Sequence, residues 1–139
     1  MSAKNIYHDA VIDALKADGW TITDDPHRLF IGRRRLSIDM SGERAALSAI
    51  RGTERIAVEV QSFLGNSDID DFHRAVGQYA IYRAVLRSTD SERSLYLAVP
   101  DDVYTGLLSE PLGRLVVADL NVKVVAFHPV ERRITRWIS

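Results

Sequence analysis

Two stretches of the chain combine aliphatic residues with a single acid, a pattern able to bind a hard metal ion. Asp39 follows Ile38, and Glu59 lies in the run Ile-Ala-Val-Glu-Val-Gln that ends at Gln61. Because side chains alternate faces along a strand, Glu59 and Gln61 share one face. Carboxylates on neighbouring strands can hold Mg²⁺, which takes one or two of them together with several waters. Bound Mg²⁺ polarises a phosphate and activates water, so the chemistry indicated is phosphodiester hydrolysis.

The order of these residues follows the Asp…Glu-x-Lys pattern of PD-(D/E)xK metal-dependent nucleases, with one departure. Gln61 stands where the pattern has lysine, and its neutral amide cannot offset charge that develops on a phosphate. From spacing alone, acids on the solvated face of half-buried strands are the simpler interpretation. The metal-site hypothesis stays open beside it, with Asp39 and Glu59 as metal ligands and Gln61 as the third catalytic residue.

Several other polar residues could contribute to such a site, although an ordinary solvated surface explains each of them too. Asp9 and Asp13 lie on the predicted first helix and could add a metal ligand. Gln78, one turn before Tyr82 on a later helix, could reach back toward the site. Residues 33–35 are three arginines that could contact phosphate, or simply keep a hairpin soluble. Arg74 is the nearest substitute for the missing lysine.

Composition places the chain among ordinary globular domains. It has 139 residues, 46% of them hydrophobic and 27% charged, so we expect one domain spanning residues 1–139. The absence of cysteine excludes disulfides and thiolate catalysis and is typical of a cytoplasmic protein. No apolar run approaches the roughly 20 residues that span a bilayer, and the N-terminus has no apolar signal segment. The net charge of −1 predicts that the chain alone binds DNA only weakly.

Hydrophobic periodicity predicts a mixed arrangement of helices and strands. Helices are predicted at 5–18 and 67–86, with shorter ones at 101–108 and from 111, and strands at 20–23, 29–31, 35–40, 55–63, 95–99, 122–127 and 133–138. The second helix is predicted to begin with a capping box at Ser67-Asp-Ile-Asp70. Residues 41–53 are polar and alanine-rich and fit either a loop or a weak helix. Early antiparallel strands followed by strand–helix–strand crossovers predict an α/β fold, a mixed β-sheet flanked by helices.

Ordered blocks along nearly the whole chain resemble the XisH family, cyanobacterial proteins described as controlling factors for excision of the fdxN element. The blocks are residues 3–26, Ile38-Asp39, residues 56–65, Gly77-Gln78-Tyr79, residues 95–100 and Trp137-Ile138. The resemblance implies a restriction-endonuclease-like fold with a catalytic set at Asp39, Glu59 and Gln61. It also implies Mg²⁺ held by Asp39 and Glu59, and a small XisI-like partner protein.

Three functions follow from these observations. The first is a nuclease-fold controlling factor for site-specific excision of a DNA element, catalytically weak because Gln61 replaces the usual lysine. The second is a Mg²⁺-dependent endonuclease, and the third is a non-catalytic protein-binding module. Since residues 133–138 form a predicted edge strand that carries Trp137, and exposed edges invite pairing, we also expect a homodimer or a complex with the partner.

Overall fold

The computed structural model describes residues 3–35 and 46–139. The helices in these ranges are α1 (Ala3–Ala17), α2 (Asp68–Thr89), α3 (Asp101–Thr105) and α4 (Pro111–Asp119). The strands are β1 (Thr21–Asp24), β2 (Phe30–Ile31), β3 (Arg34–Arg35), β4 (Ala46–Arg51), β5 (Glu54–Val60), β6 (Ser94–Pro100), β7 (Val124–His128) and β8 (Arg133–Ile138). None of the helices in the described ranges is long and apolar enough to span a bilayer.

Six strands form one mixed sheet in the order β1-β4-β5-β6-β7-β8. The three central strands β5, β6 and β7 are parallel, whereas the outer pairs β1–β4, β4–β5 and β7–β8 are antiparallel. Helix α2 connects β5 to β6, and α3 and α4 lie between β6 and β7 in the chain. The predicted mixed sheet flanked by helices is therefore confirmed. Strands β2 and β3 form a separate hairpin.

The sheet buries a different helix on each face. Ile56 and Val58 of β5 pack in a core with α1, whereas Ala57 packs in a second core with Phe72 and Tyr79 of α2. Alternation along the strand therefore places Glu59, two residues after Ala57, on the α2 face. Because both faces are covered, each of β5, β6 and β7 contains four consecutive buried residues, as expected for parallel strands.

The region between the two predicted acidic strands differs from the sequence-based expectation. Residues 46–51 form β4, not a loop or a weak helix, and four successive residues from Ala46 are buried. Pairing with β1 and β5 fixes this segment as a strand, since tertiary packing overrides weak local propensity. The strand predicted to end at residue 63 ends at Val60. The expected strand at 35–40 lies mostly outside the described residues, as does Asp39.

The hydrogen-bonded neighbours of β5 are β4 on one edge and β6 on the other. The prediction that Asp39 lies on a strand near Glu59 falls outside the described residues. Because β4 comes from a polar, alanine-rich stretch without alternation, its sequence did not identify it as a strand.

Tyr79 fastens α2 to the sheet. Its side chain is 1% exposed. Its hydroxyl donates to the carbonyl of Leu95 on β6 and accepts from the backbone N–H of Lys123, each at 3.0 Å. One phenol thus satisfies two backbone groups at neighbouring strands, and burial raises its pKa above 10.0. The predicted capping of the same helix is confirmed at Ser67, whose hydroxyl accepts from the N–H of Asp70.

We expect Tyr79→Phe to lower the free energy of unfolding by about 1–3 kcal/mol, because it leaves two backbone groups without their partner. Urea denaturation measures the change. Tyr104→Phe is the matched control, since its hydroxyl makes no hydrogen bond within residues 3–35 and 46–139. Equal effects of the two substitutions would contradict the assigned role.

The raised pKa of Tyr79 adds a pH dependence. The folded chain keeps this proton at a pH where the unfolded chain has lost it. The stabilisation is therefore complete below about pH 10 and is lost as the pH rises through the folded-state pKa. We expect the difference in unfolding free energy between the wild type and Tyr79→Phe to shrink over that alkaline range. A constant difference would show that the phenol does not titrate as its burial requires.

Candidate functional site

Glu59 is a fully buried acid near the end of a central strand. Its exposed fraction is 0%. Across the sheet it is in register with Ala46 on β4 and Leu97 on β6, and both of these are buried in the core on the α2 face. Burying a carboxylate among apolar neighbours costs free energy unless hydrogen bonds or charges compensate. Packing alone would favour an aliphatic residue here, so the acid points to a function.

Gln61 supplies a hydrogen bond to this carboxylate. Its backbone N–H donates to the carbonyl of Ala98 at 3.0 Å, so the residue continues the line of β5 beside β6. Its Nε2 lies 3.2 Å from Oε1 of Glu59 and 2.6 Å from Oε1 of Gln78. Since an ionised carboxylate only accepts hydrogen bonds, the amide nitrogen of Gln61 must face Glu59. Position 61 is therefore a donor between two acceptor oxygens.

Gln78 completes the group, which we call the Glu59 cluster: Glu59, Gln61 and Gln78. The sequence left open whether Gln78 reaches back from its helix or lies on an ordinary surface, and the structure shows that it contacts Gln61. Its part in a functional site stays a prediction. It immediately precedes Tyr79, so the fastening of α2 also fixes the height of Gln78 above the sheet. Tyr82, one turn later, is buried in the core on the α2 face.

The cluster offers oxygen ligands of the type that Mg²⁺ prefers, but only one of its members, Glu59, is an acid. Within residues 3–35 and 46–139, no three acids or histidines come together as a metal site. Mg²⁺ retains several waters and needs one or two carboxylates. Glu59 supplies the first, and Asp39 as the second lies outside the described residues. Metal binding by Asp39 and Glu59 therefore stays a prediction, and the position of the Glu59 carboxylate is in keeping with it.

The remaining candidates from the sequence lie elsewhere or have other partners. Asp13 forms an ion pair with Arg132 in the turn between β7 and β8. Asp9 is half-buried on the same helix, and its role as a ligand stays a prediction. Arg74 is 62% exposed and pairs with Asp71 at 3.9 Å. No contact of Arg74 with the Glu59 cluster is found in the part of the chain described.

A second polar group on the α2 face was missed by the sequence analysis. Ser48 of β4 is fully buried; its hydroxyl donates to Oδ2 of Asp24 at 3.1 Å and lies 2.9 Å from the hydroxyl of Thr23. The nearby backbone N–H of His27 donates to the carbonyl of Ala46 at 2.7 Å. Burial, followed by the positive charge of Arg93, lowers the pKa of His27 below 6.5. Ser48 was missed because the sequence did not identify β4 as a strand. Only as part of that strand is the Ser48 side chain placed on the buried α2 face.

Comparison with known proteins agrees with this architecture. Residues 1–135 match the XisH protein family. The crystal structure of an XisH family protein from Nostoc punctiforme gives a TM-score of 0.88 at 37% identity and covers 96% of this chain and 99% of that one. The crystal structure of an fdxN element excision controlling factor protein from Anabaena variabilis gives a TM-score of 0.88 at 36% identity and covers 97% and 99%. A search among curated proteins found no significant match. With the family match spanning almost its full length and two solved structures of the same fold, this chain belongs to the XisH family.

Proposed function

We propose that this chain controls the excision of a DNA element as a nuclease-fold factor of low intrinsic activity. The likeness to an fdxN element excision controlling factor supports the biological role. The observation that carries the chemistry is the fully buried carboxylate of Glu59 on a central strand, hydrogen-bonded to the amide of Gln61. A mixed sheet with such an acid on a central strand and a helix on each face supports the proposed restriction-endonuclease-like fold.

In this proposal Asp39 and Glu59 hold Mg²⁺, which when bound supplies a polarised phosphate and an activated water. Gln61 holds the Glu59 carboxylate in one orientation through its amide N–H, and Gln78 holds Gln61 in turn. Neither amide carries charge. Position 61 therefore lacks the cation that would stabilise charge developing on the phosphate, an electrostatic contribution that is usually large. Weak catalysis follows from that absence at position 61.

The surroundings of position 61 would accept a lysine. The two atoms that Gln61 meets through Nε2 are both acceptors, Oε1 of Glu59 and Oε1 of Gln78. An ammonium group donates up to three hydrogen bonds and accepts none, so both contacts suit it. It would also pair with a buried carboxylate, and charge-assisted bonds of this kind are roughly twice as strong as neutral ones.

We expect Gln61→Lys to increase nicking of supercoiled plasmid in Mg²⁺ or Mn²⁺ by at least about tenfold over the wild type, because it restores a positive donor. Glu59→Gln should abolish the nicking. Asn66→Lys, in the exposed loop after β5, adds the same charge away from the cluster and should change nothing.

Circular dichroism and thermal unfolding of each variant show whether the fold survives. A Gln61→Lys variant that folds yet gains no activity would contradict the assigned role of position 61. Nicking that persists in Glu59→Gln would exclude the Glu59 cluster as its source.

Metal binding gives a separate test of the ligand pair. We expect calorimetry to detect Mn²⁺ binding to the wild type, and each of Asp39→Asn and Glu59→Gln to weaken it by at least about tenfold, since a hard cation held by two carboxylates loses half of its charged ligands. Asp13→Asn, which changes an acid already paired with Arg132, is the control. Binding that survives Asp39→Asn unchanged would remove Asp39 from the site.

A second candidate function is a protein-binding module that acts with an XisI-like partner or as a homo-oligomer. The observation in its favour is that β8 ends the sheet, and its outer edge pairs with no strand of the described residues. Trp137 itself is occupied within the chain. Its ring packs against Trp20 and Tyr96, with ring centres 5.8 and 5.0 Å away, and its Nε1 donates to Asp18. The unpaired backbone of β8, more than its tryptophan, is therefore the docking feature.

We expect sedimentation at micromolar concentration to show a dimer, or a complex when the XisI-like partner is co-expressed, because an unpaired edge strand offers backbone donors and acceptors to a second chain. Replacing edge residues of β8 with lysine should weaken the association. A chain that sediments as a monomer and forms no complex with the co-expressed partner would contradict this candidate function. The nuclease-fold proposal would be unaffected.

A further inference from the structure

The β2–β3 hairpin, residues 30–35, exposes apolar and basic side chains together. Phe30 and Ile31 are 58% and 44% exposed. Arg33 and Arg34 are exposed too, and neither has an ion-pair partner within the described ranges. Ile31 stands opposite Arg34 in the register of the hairpin. Two exposed large apolar residues rimmed by two exposed cations form a surface of the kind that binds a partner.

The hairpin contacts α2 through β2, whereas there is open space around its turn. Gly32 turns the chain with φ of +57°, a conformation that glycine adopts without strain. A Cβ placed at Gly32 would meet no atom within 4 Å. Gly32, Arg33 and Arg34 are all exposed, so the tip is able to enter a groove of another molecule.

Its base is fixed beside the Glu59 cluster. The N–H of His27 donates to the carbonyl of Ala46, the residue in register with Glu59. Leu29, which is 4% exposed, packs in the same core as Ala46 and Phe72. The hairpin therefore projects from the α2 face, the face that carries Glu59. The hairpin is linked to Glu59 through Ala46 of β4, which pairs with Glu59 of β5.

The chemistry of this surface fits duplex DNA. Guanidinium groups make bidentate contacts to phosphate, and such contacts set the position of a protein on the duplex. A two-stranded ribbon fits the major groove, and apolar side chains at a protein surface can pack against sugars and base edges. A chain with a net charge of −1 must concentrate its cations locally to bind a polyanion, and residues 33–35 are three consecutive arginines.

We propose that the hairpin is a DNA-contacting arm, in which Arg33 and Arg34 bind phosphates and Phe30 packs in a groove, so that the duplex backbone lies next to the Glu59 cluster. This inference rests on the proposed function and adds the surface by which the substrate is held. It assigns to the hairpin binding alone, with no part in bond cleavage.

The test is fluorescence anisotropy with a labelled duplex of about 20 base pairs, in EDTA so that no cleavage occurs, over a series of NaCl concentrations. We expect Arg33→Ala/Arg34→Ala to weaken binding at least about tenfold at low salt. It should also make the slope of log K against log salt shallower by about 2, one counterion for each lost phosphate contact. Phe30→Ala should weaken binding and leave the slope unchanged.

The matched control is Arg87→Ala/Arg114→Ala, which removes two exposed arginines that have no ion pair in the described ranges and lie on α2 and α4. It changes the net charge equally and should leave affinity within about twofold of the wild type, since distant exposed charges are screened by salt.

Each contrary outcome is decisive. A wild type that binds the duplex while Arg33→Ala/Arg34→Ala binds equally well would overturn the arm and leave the proposed function standing. Equal losses of affinity in the test and control variants would mean that net charge alone explains the effect, and would overturn the arm as well. A wild type that binds no duplex even at low salt would overturn both the arm and the proposed function. Binding to phosphatidylserine vesicles in preference to the duplex would make the hairpin a membrane contact instead.

Discussion

The structure depends on placing a carboxylate where water cannot reach it. Glu59 lies between the apolar partners Ala46 and Leu97 on a face closed by α2. Such a group is tolerable only when its surroundings donate hydrogen bonds or charge. Gln61 donates from the end of the same strand, and Gln78 positions Gln61 from the helix above. A strand, its continuation and the following helix must therefore be held together to within a few tenths of an ångström.

That requirement explains why α2 is fastened by a polar contact as well as by packing. Apolar contacts are non-directional and would tolerate small slides of a helix along the sheet. The Tyr79 hydroxyl is bonded to Leu95 and Lys123, and so ties the helix to β6 and to the residue before β7. Gln78 precedes it in the chain, so the same bonds set its height. Tyr79 thus anchors the helix in the core, and its neighbour Gln78 completes the Glu59 cluster.

Features that depend on residues close together in the sequence were predicted correctly. The cap at Ser67, the α2 helix and the buried parallel strands follow from periodicity and helix geometry. The strand β4 was not predictable in this way, because its short alanine-rich sequence becomes a strand only between β1 and β5. The buried Ser48 was missed with it. Trp137 was expected to need a partner, yet non-local contacts with Trp20 and Tyr96 occupy it.

The two strands beside β5 join it at very different distances along the chain, and this has a kinetic consequence. β4 precedes β5 by a two-residue turn at Gly52, whereas β6 arrives only after the whole of α2. Local hairpins close in microseconds, while parallel pairing must wait for a long loop to close. During that interval Glu59 is hydrated on an open strand. Glu59 loses its water only when α2 and β6 dock. The cost of desolvating this acid therefore opposes the last stage of folding more than the first.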